Sequence, residues 1–204
     1  MRALVLARED YRCIVSRRYD FDSFNKGMTT RTDGETYGDV QNAHILPFSL
    51  VPGPDAKQTK IEKSASVWQV IETFSGIRLD EFNENLINRP ENGIALDSII
   101  HRAFGQLSLC FVATEVANTY TVKTWNMNLP DVPERVTFVS REEVPLPDPR
   151  YLALHSACAN VVHASGMVEI LDRAFDDLES MPTLSNDGSS AYVLQHALST
   201  IMVR

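Results

Sequence analysis

The chain is 204 residues long, with 44% apolar and 23% charged residues, a balance that fits an ordinary soluble domain with a sizeable core and excludes long disorder. A net charge of −8 excludes a protein that coats nucleic acid through bulk charge alone. No run of about 18 apolar residues occurs, the opening MRALVLARED lacks a signal-peptide core, and three scattered cysteines build no disulfide framework, so an intracellular setting (cytoplasm or nucleus) with no membrane partner is expected.

Residues 2–8 are good helix formers, and Glu9-Asp10 breaks the run. Residues 11–15 are β-prone and predict a short strand. Turn formers crowd residues 22–39, which predict a loop or hairpin tip. Residues 40–46 predict a second strand stopped by Pro47, and 51–60 another loop. Over residues 61–74, Val67, Ile71 and Phe74 recur at helical spacing beside Trp68, with Gly76 as a C-cap. Residues 88–91 predict a turn, followed by the turn dipeptide Asn92-Gly93 and a short extended stretch over 94–96. Asp97 can N-cap a helix over 98–104. Residues 107–113, 120–125 and 136–139 predict further strands. The prolines of 144–149 mark a joint before a helix over 151–164, with Leu154, Cys158, Val161 and Val162 on its apolar side, and 168–180 predict one more acidic helix. The order predicts an α+β fold with antiparallel hairpins: residues 1–125 form a core with its following strands, and 126–204 a C-terminal strand and helical extension packed on the same domain.

Charge is unevenly spread. Residues 1–31 carry seven Lys or Arg against four acids, whereas 131–204 carry five against eleven. A polyanion is therefore expected near the N-terminal third, unless both stretches are simply solvated faces.

Five histidines are present, and each taken alone reads most simply as a surface or core residue. Two have unusual settings. His44, in QNAHILPFS, ends the second predicted strand before a proline turn; His101, in NGIALDSIIHRAF, lies nine residues after Asn92 on a predicted helix. A strand, a loop and a helix presenting His, Asn and His make a small ββα arrangement. His155 and His163, eight residues apart on the helix over 151–164, read as packing or capping groups, and His196 as surface.

This ordered set resembles the HNH endonuclease family, and more closely the HNH proteins abundant in fungi. The stretches that carry the resemblance are YRCIVSRRYD, NAHILPFS and NRPENGIALDSIIHRAFG. PLPDPRYLALHSACANVVHASG resembles the helix that follows the nuclease core, so the likeness spans roughly residues 1–170. It implies a ββα-metal core elaborated with a β-hairpin region and C-terminal helices. It also implies metal-dependent hydrolysis of phosphodiester bonds, with DNA a better expectation than RNA. By the resemblance His44 is the general base, a role suited to a side chain with an ordinary pKa of about 6.5. Asn92 shapes the loop and can orient the base or touch the metal shell, and His101 is the metal ligand on the helix. Mg²⁺ or Mn²⁺ is the expected ion, and an imidazole ligand also suits Zn²⁺ or Ni²⁺. Asp97, one turn before His101, can join the ligands or serve only as an N-cap.

The chain departs from the family pattern in its ligands. Ala43 stands where many members carry Asp, Glu or His before the base, and Gly105 where many carry Asp or His after the helical histidine. Cys13 falls at a position where some members have a zinc cysteine, but no CxxC accompanies it, so a buried small residue is expected. Weak cation binding follows. The alternatives are a degenerate pseudo-nuclease acting as a binding module, or an enzyme that reuses the His/Asn/His pocket on another substrate, enclosed by Trp68, Phe74, Phe104 and Trp125.

Overall fold

In the computed structural model the described residues are 1–30, 34–47, 50, 58–78, 87–125, 129, 132–167 and 169, without the side chains of 59–61 and 63. His196 and all but one residue of the helix expected over 168–180 lie outside them. The chain divides into two compact units, Met1–Ala157 and Cys158–Arg204.

Helix α1 (Arg2–Arg8) forms where expected and buries Val5, Leu6 and Arg8. The strand expected over 11–15 does not form. Asp10, Tyr11 and Arg17 adopt positive φ of 58°, 56° and 61°, so the chain turns twice within eight residues. Ile14 and Val15 are instead core residues, and Ile14 donates its N–H to the Ala95 carbonyl (3.0 Å). Their β-branched side chains signalled burial, not a ladder. The loop expected over 22–39 is also more ordered than its composition implied. Strand β1 (Tyr19–Asp20) pairs in parallel with β2 (Tyr37–Gly38), and α2 (Phe21–Asn25) lies between them, N-capped by the Asp20 carboxylate on the Ser23 N–H.

Strand β3 (Val40–His44) pairs antiparallel with β4 (Gly93–Asp97), Val40 facing Asp97 and His44 facing Gly93. Every residue of β4 is buried. Helix α3 (Gln58–Ser75) lies between these strands in sequence. Its buried stripe runs through Ser64, Trp68 and Ile71, and Phe74 is 84% exposed, one position off the stripe expected from periodicity. Gly76, at φ 68°, ends the helix, and its N–H returns to the Glu72 carbonyl. Helix α4 (Ser98–Gly105) follows β4 directly, with Asp97 as N-cap to the Ile100 N–H (3.1 Å). It buries Ile100, Ala103 and Phe104 and contacts β3, β4 and β5.

Strands β5 (Leu109–Ala113), β6 (Thr119–Thr124) and β7 (Arg135–Thr137) form an antiparallel meander, as the hairpin pattern predicted. Helix α5 (Pro149–Ala164) contains the division between the two units. Its buried residues are Tyr151, Leu152, His155, Ser156, Ala159 and Val162; Cys158 and Val161, expected on the apolar side, are exposed. The fold is α+β, as read from the order of elements. No described helix is long and apolar enough to cross a membrane.

Candidate active site

The site is assembled on the β3–β4–α4 unit, and two buried side chains fix its backbone. Asn92, at the end of a single 3₁₀ turn (Pro90–Asn92), is completely buried. Its Oδ1 accepts from the Leu46 N–H (2.8 Å), and its Nδ2 donates to the carbonyls of Leu46 (3.0 Å) and Ile87 (3.1 Å). The Asn92 carbonyl accepts from the Ile45 N–H (3.0 Å). The amide thus clamps the segment after His44 to the segment before β4, and its bonds all go to backbone. Gly93, read as half of a turn dipeptide, has an extended φ of −130°. It is required by space: a Cβ there would lie 2.7 Å from Asn42 Oδ1 and 2.9 Å from Val5.

Arg8 is the second support. Its side chain is wholly buried and donates to Glu9 (2.8 Å) and to the carbonyls of Pro90, Gly93 and Pro145 (2.9, 2.7 and 2.8 Å). It ties α1, the 3₁₀ turn, β4 and the proline-rich joint together. Burial pushes the Glu9 carboxyl up, against the opposing pull of Arg8.

The two candidate histidines stand on this frame. His44 closes β3, and its Nε2 lies 3.2 Å from Asn88 Oδ1. Because that oxygen can only accept, it holds the proton on Nε2 and leaves Nδ1 as the basic nitrogen. His101, half-buried on α4, points Nδ1 at Gln41 Oε1 (2.7 Å) on β3. Desolvation holds its pKa below the ordinary histidine value, His44 lowers it further, and Asp39 opposes the shift. The charge of His44 thus reaches His101. Asn88 and Gln41 carried no signal in the sequence beyond membership of a turn and a strand.

Asp97, considered as a helper ligand, is buried with both oxygens engaged: Oδ1 caps α4, and Oδ2 accepts from the Ser16 hydroxyl. Ala43 is fully buried on β3, and Gly105 faces open space. His155 is far from solvent, stacked on Phe104 with ring centres 3.7 Å apart and donating Nε2–H to the Phe104 carbonyl (3.0 Å). It packs against α4 through Phe104. Of the aromatic residues expected to enclose a site, Trp68 and Phe104 are core and Phe74 is exposed. Cys13 is a buried thiol, raised in pKa by that burial.

Residues 13–112 match the family model described as HNH endonuclease. This stretch is an HNH endonuclease domain. The match begins at Cys13 and ends in β5, so it takes in β3, β4 and α4 and is narrower than residues 1–170. No curated protein and no solved structure gives a match. An HNH domain points to nuclease chemistry on nucleic acid with a divalent metal ion. The donors for such an ion are few. Among the described residues no cluster of three His, Cys, Asp or Glu is placed to hold a metal. The candidate ligand His101 has its Nδ1 bonded to Gln41 Oε1, which leaves Nε2 as its other ring nitrogen.

Some of the N-terminal basic residues are already paired within the protein. Arg2 pairs with Asp20 (3.1 Å) and bonds the Val40 carbonyl (3.0 Å). Arg8 is buried, and Arg12 lies over the Tyr19 ring (3.7 Å) and pairs with Glu35 (2.9 Å). Three of the seven expected to meet a polyanion are thus bound within the protein.

Proposed function

We propose that the HNH domain is a metal-assisted DNA nuclease in which His44 is the general base and His101 is the protein ligand to the cation. The observation that carries this reading is the pair of neighbouring imidazoles, each bonded at one nitrogen to a side-chain amide oxygen. On His44, Asn88 keeps the proton on Nε2 and directs the basic Nδ1 to a water. On His101, the Gln41 bond leaves Nε2 as the donor to a cation. A divalent ion would neutralise the scissile phosphate and the leaving oxygen. With one imidazole from the protein, water and substrate phosphate complete its shell, so binding is weak without DNA and favours Mg²⁺ or Mn²⁺, with Zn²⁺ and Ni²⁺ also suited to the nitrogen donor. Asn92 is a positioning residue that holds the segment after His44. Asp97 is an N-cap to α4, the helix that carries His101.

Nicking of supercoiled plasmid tests this reading. Wild-type protein with Mg²⁺ or Mn²⁺ is expected to cut, and His44→Ala to cut slower by a factor of about 10²–10⁴, the usual contribution of a general base. Absence of DNA or RNA cleavage with Mg²⁺, Mn²⁺, Ni²⁺ and Zn²⁺ overturns it. The sparse ligand set favours one second reading, a degenerate HNH domain that binds nucleic acid without cutting it. DNA retention in a mobility-shift assay with no cleavage is the mark of that outcome.

A further inference from the structure

Gln41 and Asp39 form a relay behind His101. Gln41 Oε1 lies 2.7 Å from His101 Nδ1, and Gln41 Nε2 donates to Asp39 Oδ2 at 2.5 Å. The polarity of this chain is fixed from its far end. A carboxylate can only accept, so it selects the amide orientation that turns Nε2 toward Asp39 and Oε1 toward His101. An amide oxygen also can only accept, so His101 must place its proton on Nδ1. The lone pair is then on Nε2. The backbone holds the relay in place: Gln41 is within β3, paired with Leu96, and the Asp39 carbonyl accepts the Ser98 N–H (3.0 Å) at the start of α4. The strand end and the helix that carry the three groups are therefore joined.

We infer that Asp39 and Gln41 are positioning residues that hold His101 as its Nδ1–H tautomer and so present the Nε2 lone pair to a cation or phosphate-bound water. Its meaning for catalysis rests on the reading of His101 as the cation ligand. The relay itself does not. A free neutral imidazole prefers its proton on Nε2, so the Nδ1–H tautomer is one the protein has to impose. Breaking the relay returns that preference and puts a proton where the ligand should bind.

The test is long-range ¹H–¹⁵N NMR of the histidine rings of the full chain, with chelator and without substrate, at a pH where the imidazoles are neutral. Wild type is expected to show the Nδ1–H pattern for His101. Gln41→Met, which keeps the length of the side chain and removes its oxygen, is expected to shift His101 to the Nε2–H pattern. Asp39→Asn is a gentler probe: asparagine can donate as well as accept, so the amide can flip, and a mixture of the two patterns is expected. The His155 ring, held as Nε2–H by the Phe104 carbonyl, reports in the same spectra that the fold is intact. An Nε2–H pattern for His101 in wild type, or an unchanged Nδ1–H pattern in both variants, overturns the proposal. Failure of the plasmid assay with the Nδ1–H pattern present would strike the nuclease reading and leave the relay standing.

Discussion

The outer pocket and the frame beneath it use the same kinds of polar side chain in opposite ways. In the frame, Arg8 and Asn92 are buried, and their bonds go to backbone carbonyls, a backbone N–H and one carboxylate. In the pocket, His44 and His101 are partly exposed and each is tied at one ring nitrogen. A saturated buried group has no capacity left for a substrate, so its contribution is geometric. A half-bonded group at the surface has a fixed tautomer and a nitrogen in reserve, which is what proton transfer and ligation require. His155 shows that residue type alone does not decide this. It is a histidine touching the same helix as His101, but it is sealed against Phe104 with its Nδ1 buried and without a hydrogen-bond partner among the described residues.

The sharpest way to break the comparison is to damage the frame. Arg8→Met would strip a buried carboxylate of its partner and leave three backbone carbonyls without their donor. A loss of about 3–5 kcal/mol in unfolding free energy is expected by urea denaturation. Arg8→Met combined with Glu9→Gln should recover part of that loss, because the uncompensated charge is gone. A single-variant loss below about 1 kcal/mol would mean that Arg8 is not a tie.

His155 gives a pH-dependent version of the same contrast. Burial lowers its pKa from 6.5 to about 4. The folded state therefore holds it neutral, while the unfolded chain takes up a proton below pH 6.5. Its contribution is complete above that pH and is lost as pH falls toward 4, on the order of 3 kcal/mol in all. Replacing it with phenylalanine keeps the stack on Phe104, whose carbonyl still accepts from the Leu107 N–H. Unfolding curves of His155→Phe between pH 7 and 4.5 should fall less steeply than those of wild type. Parallel slopes would show that His155 is not the group responsible.

A smaller effect sharpens the pocket side. Gly105 lies one turn beyond His101 and has no atom within 4 Å of a built Cβ. Gly105→Asp should fit without strain and add a carboxylate beside the imidazole, raising Mn²⁺ affinity several-fold in calorimetry. Unchanged affinity would place the cation away from this face of α4.

Much of this architecture was legible in the sequence, and the misses share a cause. Strong local signals are legible: the Asp97 cap, the Gly76 stop and the hairpin of β5 and β6. Residues 11–15 failed because β-branched side chains signal a buried, extended-looking surface as readily as a ladder, and this segment meets β4 through one backbone bond at Ile14. The α3 stripe was misplaced by one position because Ser64 and Trp68, not Phe74, share the buried face with Ile71. Arg8 was counted as surface charge, and nothing in its neighbourhood announced four internal acceptors drawn from across the fold. Asn88 and Gln41 were invisible for a related reason: their importance lies in which histidine nitrogen they meet, and that depends on register between distant segments.

The measurement that bears most directly on the central claim is cleavage rate per folded molecule for His44→Ala and Asn92→Ala, each with its unfolding curve. His44→Ala is expected to keep the wild-type midpoint and lose a factor of about 10²–10⁴ in rate. Asn92→Ala leaves the Leu46 N–H and two carbonyls without their partner, and is expected to lose about 2–3 kcal/mol of stability while its folded fraction cuts faster than His44→Ala. A His44→Ala protein that cuts as fast as wild type, or an Asn92→Ala protein of full stability with the deeper loss of rate, would contradict the division between reactive pocket and supporting frame.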